Sequence, residues 1–160
     1  GHTVPQEEAR EMYRRKTELF VEHGQVSMMP GAAEMLDTLR RNGIRCVLVT
    51  GSAQNSLLSR IADDYPGVFL PRDRVTALDV THGKPDPEPY LRGLAIAATR
   101  TEETIVIENA PLGVRAGRAA GLFSVAVTTG PIPRDAFVRE DASIIFSSMP
   151  EFAKALPGLL

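Results

Sequence analysis

The segment Thr104–Gly121 constrains the fold more than any other, because it joins an apolar strand directly to a helix. Ile105–Ile107 is a short apolar run, which predicts a strand covered on both faces. Pro111 suits the first position of the helix that follows. Leu112, Ala116 and Ala119 recur at helical spacing, which predicts that helix, and Gly121 lies where its C-terminal cap belongs. Glu108 and Asn109 lie between the two elements, at the carboxyl end of the strand, where open α/β sheets bind their ligands.

Strands and helices alternate from residue 32 to the end of the chain, which predicts a parallel α/β sheet with helices on both faces. Helices are predicted at about Ala32–Arg41, Ala53–Ala62, Glu88–Ala98, Arg134–Val138 and Pro150–Leu156. Strands are predicted at Ile44–Thr50, Phe123–Thr128 and Ser143–Phe146, with weaker signals at Gly67–Leu70 and within Val75–Val80. An amphipathic helix, Pro5–His23, precedes them, with a capping box from Thr3 to Gln6 and Gly24 at its end.

Composition narrows the class of protein. A chain of 160 residues is consistent with one domain that has a real hydrophobic core. Its net charge of −2 argues against nucleic acid or an anionic membrane as the main partner. No apolar run is long enough to cross a bilayer, and no signal peptide is evident. The single cysteine, Cys46, is interpreted as a core thiol, and the expected location is cytoplasmic.

Two loops could bind an anion. Thr50, Gly51 and Ser52 end an apolar strand, and they offer hydroxyl groups and backbone N–H groups. The alternative is that Ser52 simply caps the next helix. Lys84 stands between Gly83 and Pro85, so a lysine in a stiff turn could hold a phosphate. The alternative is an ordinary surface lysine.

A third position could hold a metal ion. The side chains of Glu108 and Asn109 offer oxygen atoms, the ligand type that Mg²⁺ takes directly or through water. The alternative is an asparagine that caps the helix beside a solvated glutamate. Each of the three signals is weak alone, and their order along the chain is more specific than any one of them.

That order resembles the haloacid dehalogenase superfamily of phosphotransferases. The matching stretches are VLVTGS, HGKPDPEPYL and IVIENAPLGVRAG, which correspond to the second, third and fourth motifs of the family. The phrases GKPDPEPY and ENAPLGV are similar to the β-phosphoglucomutase-like subgroup of phosphatases, pyrophosphatases and mutases. The resemblance implies a three-layer, Rossmann-like core with a mostly parallel sheet.

The resemblance also implies a role for each candidate residue. Thr50, with the backbone N–H of Gly51 and the neighbouring Ser52, would bind the phosphoryl group. Lys84 would bridge that group and the nucleophile. Asn109 would ligate Mg²⁺ directly, and Glu108 would act through a metal-bound water. Phosphoryl transfer requires that the phosphoryl group be positioned and that its negative charge be stabilised.

The chain departs from the family pattern in two ways. The family usually has aspartate where Asn109 stands, so the metal should bind more weakly here. The family's nucleophile lies in an Asp-x-Asp stretch on the first strand, and no Asp-x-Asp occurs in these 160 residues. The helix Pro5–His23 resembles the last helix of the family's helical cap. Residues 1–24 are therefore interpreted as a remnant of the cap domain, and residues 25–160 as an incomplete core.

The first strand is central in the family, between the Thr50 strand and the Glu108 strand. Its absence predicts one of three outcomes: the two strands pair directly, another chain covers their edges, or a preceding segment of the natural protein supplies the strand. The last is favoured. The parent protein is expected to be monomeric, whereas this chain alone could dimerise through exposed sheet edges.

The resemblance implies that the parent is a Mg²⁺-dependent phosphatase acting on a small phosphorylated metabolite, and that this chain alone is a poor catalyst. One alternative is a sugar-phosphate mutase or an inorganic pyrophosphatase of the same subgroup. An alternative of another class is a pseudoenzyme that binds an anion without turnover.

Overall fold

The computed structural model describes residues 4–22 and 27–160, apart from the side chains of Phe20 and Val21. The helices are α1 (Gln6–Glu22), α2 (Ala32–Arg41), α3 (Asn55–Asp64), α4 (Glu88–Ala97), α5 (Pro111–Ala119), α6 (Arg134–Arg139) and α7 (Met149–Ala155). The strands are β1 (Leu48–Val49), β2 (Arg74–Val75), β3 (Ile105–Glu108), β4 (Phe123–Val127) and β5 (Ile144–Phe146). The predicted cap at Thr3, the helix end at Gly24 and the proposed boundary between residues 24 and 25 lie outside the described residues.

All observed strand pairs are parallel, as the alternating pattern predicts. In the described part of the chain the strands form two sheets, β1–β2 and β3–β4–β5. In the larger sheet Val106 lies opposite Ser124, and Val125 lies opposite Ile144. The parallel α/β architecture predicted from the sequence is therefore confirmed.

The strands β1 and β3 are not partners in either sheet, so the described residues do not support direct pairing between them. Among residues 4–22 and 27–160, β1 pairs with β2 alone and β3 with β4 alone. The other two outcomes, a strand from another chain or from a preceding segment, stay predictions.

Of the predicted strands, one is shorter in the structure and one is not a strand. The predicted strand Ile44–Thr50 is reduced to Leu48–Val49, because its partner β2 is only two residues long and pairs with no more of it. Residues 67–70 form a turn and bend rather than a strand, and Gly67 there has a φ of 76°. An apolar run indicates burial, whereas a strand also needs a neighbour to hydrogen-bond.

The sheet β3–β4–β5 is covered on both faces, and the alternation of β4 divides the core. Val125 and Val127 face one way, toward a cluster with α2 and α7 that includes Leu36 and Phe152. Ala126 faces the other way, where it packs with Val114 and Phe137 of α5 and α6.

A third cluster joins α4 and α5 to β3, with Tyr90, Val106, Ala116, Ala120 and Leu122 as its buried members. Cys46 packs at the edge of the first cluster, where burial raises the pKa of its thiol, as expected for a core cysteine.

The buried face of α5 is lined mostly by small residues. Leu112 and Ala119 are exposed, whereas Gly113, Val114, Ala116 and Gly117 are buried. A Cβ at Gly117 would lie 2.5 Å from the buried Oγ of Ser124. Glycines on this face let the helix approach the sheet closely, so the face is defined by small side chains rather than by large apolar ones.

Helix α1 is largely exposed and carries ion pairs on its surface, such as Arg14 with Glu18 at 2.6 Å. A hydrogen bond of 2.8 Å from Nε2 of Gln54 to Oγ1 of Thr17 joins α1 to the segment before α3. Among the described residues, no helix is both long enough and apolar enough to span a membrane.

Candidate active site

The loop that carries Lys84 is anchored by the first residue of α4. The Glu88 carboxylate accepts hydrogen bonds from the backbone N–H groups of Thr81, at 3.0 Å, and His82, at 2.8 Å. It also accepts a hydrogen bond of 2.9 Å from the guanidinium of Arg92. These donors, the two backbone groups first, lower the pKa of Glu88 from 4.5 to about 2. The carboxylate therefore stays ionised near neutral pH and fixes the loop at its base.

Lys84 is tied to the ends of two strands that belong to different sheets. Its Nζ donates a hydrogen bond of 3.2 Å to the carbonyl oxygen of Val49, the last residue of β1. It also donates to Oε1 of Glu108, the last residue of β3. The Lys84 side chain is only 20% exposed, so the description as an ordinary surface lysine is wrong.

The carboxylate of Glu108 is enclosed rather than solvated, with its side chain 10% exposed. Its Oε1 accepts a second hydrogen bond, from the hydroxyl of Tyr90 on α4. On another side lies Gly113 of α5, where a Cβ would collide with the carboxylate. Burial and the negative charge of Glu108 raise the pKa of Tyr90, so its hydroxyl is a permanent donor.

The segment Thr50–Ser52 forms a turn just beyond β1. The backbone N–H of Ser52 donates to Oγ1 of Thr50 at 3.1 Å, and Oγ of Ser52 accepts from the N–H of Gln54 at 3.3 Å. Helix α3 begins only at Asn55, and its cap residue Gln54 makes no side-chain cap. Ser52 is therefore not the cap of that helix. Thr50 directly follows Val49, the residue whose carbonyl oxygen accepts the hydrogen bond from Lys84.

Asn109 does not cap α5, because the cap position is taken by Ala110. The Asn109 side chain is exposed, and its Nδ2 donates a hydrogen bond of 3.1 Å to Oγ1 of Thr129, which follows β4. This bond leaves the amide oxygen Oδ1 without a donor among the residues that the structure describes. The geometry thus leaves an oxygen ligand available beyond the end of β3.

The donor set beside β3 fits part of a magnesium site. The amide oxygen of Asn109 and Oε2 of Glu108 are oxygen ligands of the type that Mg²⁺ takes. Oε1 of Glu108 is already used by Lys84 and Tyr90. Because octahedral Mg²⁺ needs about six ligands, Asn109 and Glu108 would have to be supplemented by water and by other groups.

A second group of ligand-type side chains lies in the loop before α4. In the described part of the chain, ligand atoms of His82, Asp86 and Glu88 lie within 4.8 Å of one another. The Glu88 carboxylate is committed to the backbone of the loop and to Arg92. This group is separate from the predicted metal position at Glu108 and Asn109.

The structure thus brings Lys84 and Glu108 into contact and puts Thr50 next to the same strand end. Asn109 turns toward Thr129 and does not touch Lys84. Sequence reasoning gave no role to Tyr90, Gly113 or Thr129. Tyr90 is the last residue of the quoted phrase GKPDPEPY, so a signal was present, but only the packing of α4 against β3 reveals its contacts.

The sequence profile of haloacid dehalogenase-like hydrolases matches residues 1–121. Hexitol phosphatase A of Escherichia coli is 35% identical over 102 residues, which cover 64% of this chain and 46% of that protein. Validoxylamine A 7'-phosphate phosphatase of Streptomyces hygroscopicus is 31% identical over 121 residues, which cover 76% of this chain and 55% of that protein. The chain therefore spans about half of the length of these relatives.

Solved structures give the same result. A candidate beta-phosphoglucomutase from Bacteroides vulgatus has 43% identity and a TM-score of 0.93, over 99% of this chain and 64% of that one. CbbY of Rhodobacter sphaeroides, solved with phosphate, has a TM-score of 0.76 over 95% of this chain and 68% of that one, and at 24% identity it supports the fold alone. The profile match over most of the chain, together with these relatives, establishes that the chain belongs to the haloacid dehalogenase-like hydrolases.

Proposed function

We propose that this chain is part of a Mg²⁺-dependent phosphatase that hydrolyses a small phosphorylated metabolite, with a sugar or polyol phosphate as the expected substrate class. The observation behind the proposal is the position of the Lys84 amine between the carboxyl ends of β1 and β3. An ammonium group has three N–H donors. Two of them go to Val49 and Glu108, which leaves one for an oxygen of a phosphoryl group.

The other residues have complementary roles in this proposal. Thr50 and Ser52 would offer hydroxyl groups, and Gly51 a backbone N–H, to the remaining oxygens of the phosphoryl group. Asn109 would ligate Mg²⁺ directly, and Glu108 would hold it through a water. When bound, Mg²⁺ would offset the negative charge of the phosphoryl oxygens. The contribution of these side chains is to orient the group and to stabilise its charge.

The nucleophile is the part that these 160 residues do not supply. We propose that a segment preceding Gly1 in the natural protein carries an Asp-x-Asp strand, which would lie between β1 and β3. In the part of the chain that the structure describes, β1 and β3 each have a partner strand on one side, and this supports the proposal, because buried parallel strands ordinarily have partners on both sides. This chain alone would then bind an anion and turn over poorly.

The expected substrate class is inferred from the names of the relatives. Two phosphatases at 35% and 31% identity are named for a hexitol phosphate and for validoxylamine A 7'-phosphate. The 43% identity to a candidate beta-phosphoglucomutase supports the second candidate, a sugar-phosphate mutase. A protein at 26% identity is named as a pyrophosphatase, which keeps that activity in the panel of assays.

The proposal is tested by assaying this chain and an N-terminally extended version with Mg²⁺. The panel contains hexitol phosphates, hexose 6-phosphates, glycerol phosphate, glucose 1-phosphate and pyrophosphate. We expect the extended protein to release phosphate from at least one ester and the short chain to be nearly inactive. Interconversion of sugar phosphates without phosphate release would favour the mutase. Failure of the extended protein on the whole panel, with phosphate binding intact, would favour the non-catalytic anion-binding protein.

A further inference from the structure

Tyr90 contacts both charged groups that meet between β1 and β3. It lies in the first turn of α4 and is only 6% exposed. Its hydroxyl donates to Oε1 of Glu108, and the centre of its ring lies 4.8 Å from Nζ of Lys84. A cation at this distance from an aromatic ring is attracted to the negative face of the ring.

The Glu108 carboxylate has little freedom in this arrangement. Tyr90 and Lys84 both donate to the same oxygen, Oε1. Gly113 lies so close behind the carboxylate that the space for a Cβ is already filled. The second oxygen, Oε2, is therefore held in one direction as long as the Tyr90 hydroxyl keeps Oε1 in place.

The Lys84 amine has a corresponding set of three contacts. It donates hydrogen bonds to the carbonyl oxygen of Val49 and to Oε1 of Glu108, and it lies over the face of the Tyr90 ring. Two of these three contacts depend on Tyr90, one directly through the ring and one indirectly through Glu108. The position of the amine thus depends in part on Tyr90, a buried residue of α4.

We propose that Tyr90 is a positioning residue, whose hydroxyl fixes the Glu108 carboxylate and whose ring holds the Lys84 ammonium between the two strand ends. The inference rests on the proposed function for the consequence in catalysis, and on geometry alone for the contacts. Oriented groups contribute most in the transition state, where charge is redistributed. Loss of the hydroxyl should therefore lower turnover more than it weakens substrate binding.

The simpler interpretation is that Tyr90 only fills the core. Its ring does pack with Val106, Ala116 and Leu122. The hydroxyl separates the two interpretations, because phenylalanine would keep the ring and its packing while it removes the donor to Glu108. The informative variant is therefore Tyr90→Phe, with Tyr65→Phe as its matched control, since Tyr65 packs against the other core cluster.

The first measurement uses the N-terminally extended protein and the best phosphate ester of the panel. For Tyr90→Phe we expect kcat to fall about tenfold, the loss of roughly one hydrogen bond to a charged group, while KM changes less than twofold. Tyr65→Phe should leave both constants unchanged. A Tyr90→Phe enzyme with the kcat of the parent would overturn the inference and leave the proposed function intact.

The second measurement does not depend on activity. The same proteins are labelled with ¹³C at the lysine ε-carbon, and the signal of Lys84 is assigned by its loss in Lys84→Met. With the amine held over the ring of Tyr90, its two ε-protons should give distinct, ring-shifted signals. A Tyr90→Leu variant labelled in the same way lacks the ring, so these signals should merge toward those of a freely rotating lysine, and in Tyr65→Leu they should stay distinct.

The two measurements separate the two proposals. An extended protein that hydrolyses nothing would contradict the proposed function, and the lysine spectrum would still decide the role of Tyr90. An unchanged Lys84 signal in Tyr90→Leu, which lacks the ring, would overturn that role. A Tyr90→Phe protein that does not fold would also contradict it, because the hydroxyl would then be needed for the fold and not for positioning.

Discussion

The amine of Lys84 donates a hydrogen bond of 3.2 Å to the carbonyl oxygen of Val49, so a loop lysine is fixed at the end of strand β1. Lys84 and Val49 are 35 residues apart in the chain. The same amine reaches Glu108 at the end of β3. One side chain therefore bridges two strands that belong to different sheets.

Replacing Lys84 by alanine should weaken the binding of phosphate or sulfate about tenfold, because a partly shielded ammonium is a stronger anion ligand than a fully hydrated one. Titration calorimetry of this chain measures the effect. Lys154→Ala, a change of the same type at the far end of the chain, should have none. An unchanged anion affinity in Lys84→Ala would contradict the role given to Lys84.

Replacing Asn109 by aspartate should tighten the binding of Mg²⁺ several-fold, since a carboxylate adds a full negative charge to the ligand set. The amide of Asn109 donates to Oγ1 of Thr129, and the new carboxylate could instead accept from the Thr129 hydroxyl, so the local structure should be kept. A calorimetric titration with Mg²⁺ measures the change. Asn42→Asp adds the same charge after α2 and serves as the control. Equal affinities in both variants would mean that Asn109 is not a metal ligand.

Replacing Gly113 by alanine should lower both stability and activity, although alanine favours a helix over glycine by about 1 kcal/mol. The added Cβ would displace the Glu108 carboxylate, which cannot move without losing Tyr90 and Lys84. We expect the hydrolysis rate of the extended protein to fall more than tenfold, because the charged groups are no longer oriented. Denaturant unfolding and ester hydrolysis measure the two effects.

Gly117→Ala is the comparison for that variant. Its Cβ would press on Ser124 rather than on Glu108, so it should reduce stability by about 1–3 kcal/mol as an overpacked core position. The activity of the folded fraction should stay the same. If Gly113→Ala behaved like Gly117→Ala, the enclosure of Glu108 by Gly113 would have no functional consequence.

Because of the Glu88 carboxylate, we expect the folded protein to lose part of its stability in acid. Its pKa is about 2 in the folded protein and about 4.5 in the unfolded chain. A lowered pKa stabilises the folded state at pH values above 4.5, and this contribution is lost as the pH falls from 4.5 toward 2. The difference in unfolding free energy between the parent and Glu88→Gln should shrink over that interval. Denaturant titrations at several pH values measure it, and a constant difference would contradict the prediction.

Several features of the fold follow directly from local sequence. The apolar run before Glu108, the proline at position 111 and the glycine at position 121 predicted β3 and α5 with nearly the observed bounds. Helix α2 was predicted with its observed ends, because Asn42 and Gly43 are a clear stop signal. These signals act within a few residues, and tertiary contacts did not override them.

Other features needed long-range information. The run Cys46–Val49 is apolar, yet only Leu48 and Val49 form a strand, because β2 offers a partner to these two alone. Leu112 is exposed although it is a large apolar residue, because α5 approaches the sheet with its glycines. Neither the length of a partner strand nor the closest approach of a helix is written in the local pattern.

The sequence by itself determined the family, the parallel α/β architecture and the identity of Lys84, Glu108 and Asn109 as candidates, because spacing and motif order are properties of the chain. The tertiary structure decided how they are related: Lys84 and Glu108 share a contact, Asn109 turns to Thr129, and Tyr90 lies under the charged pair. The physical reason is that buried ion pairs and hydrogen bonds depend on which elements pack together, and α4 meets β3 only in the folded protein.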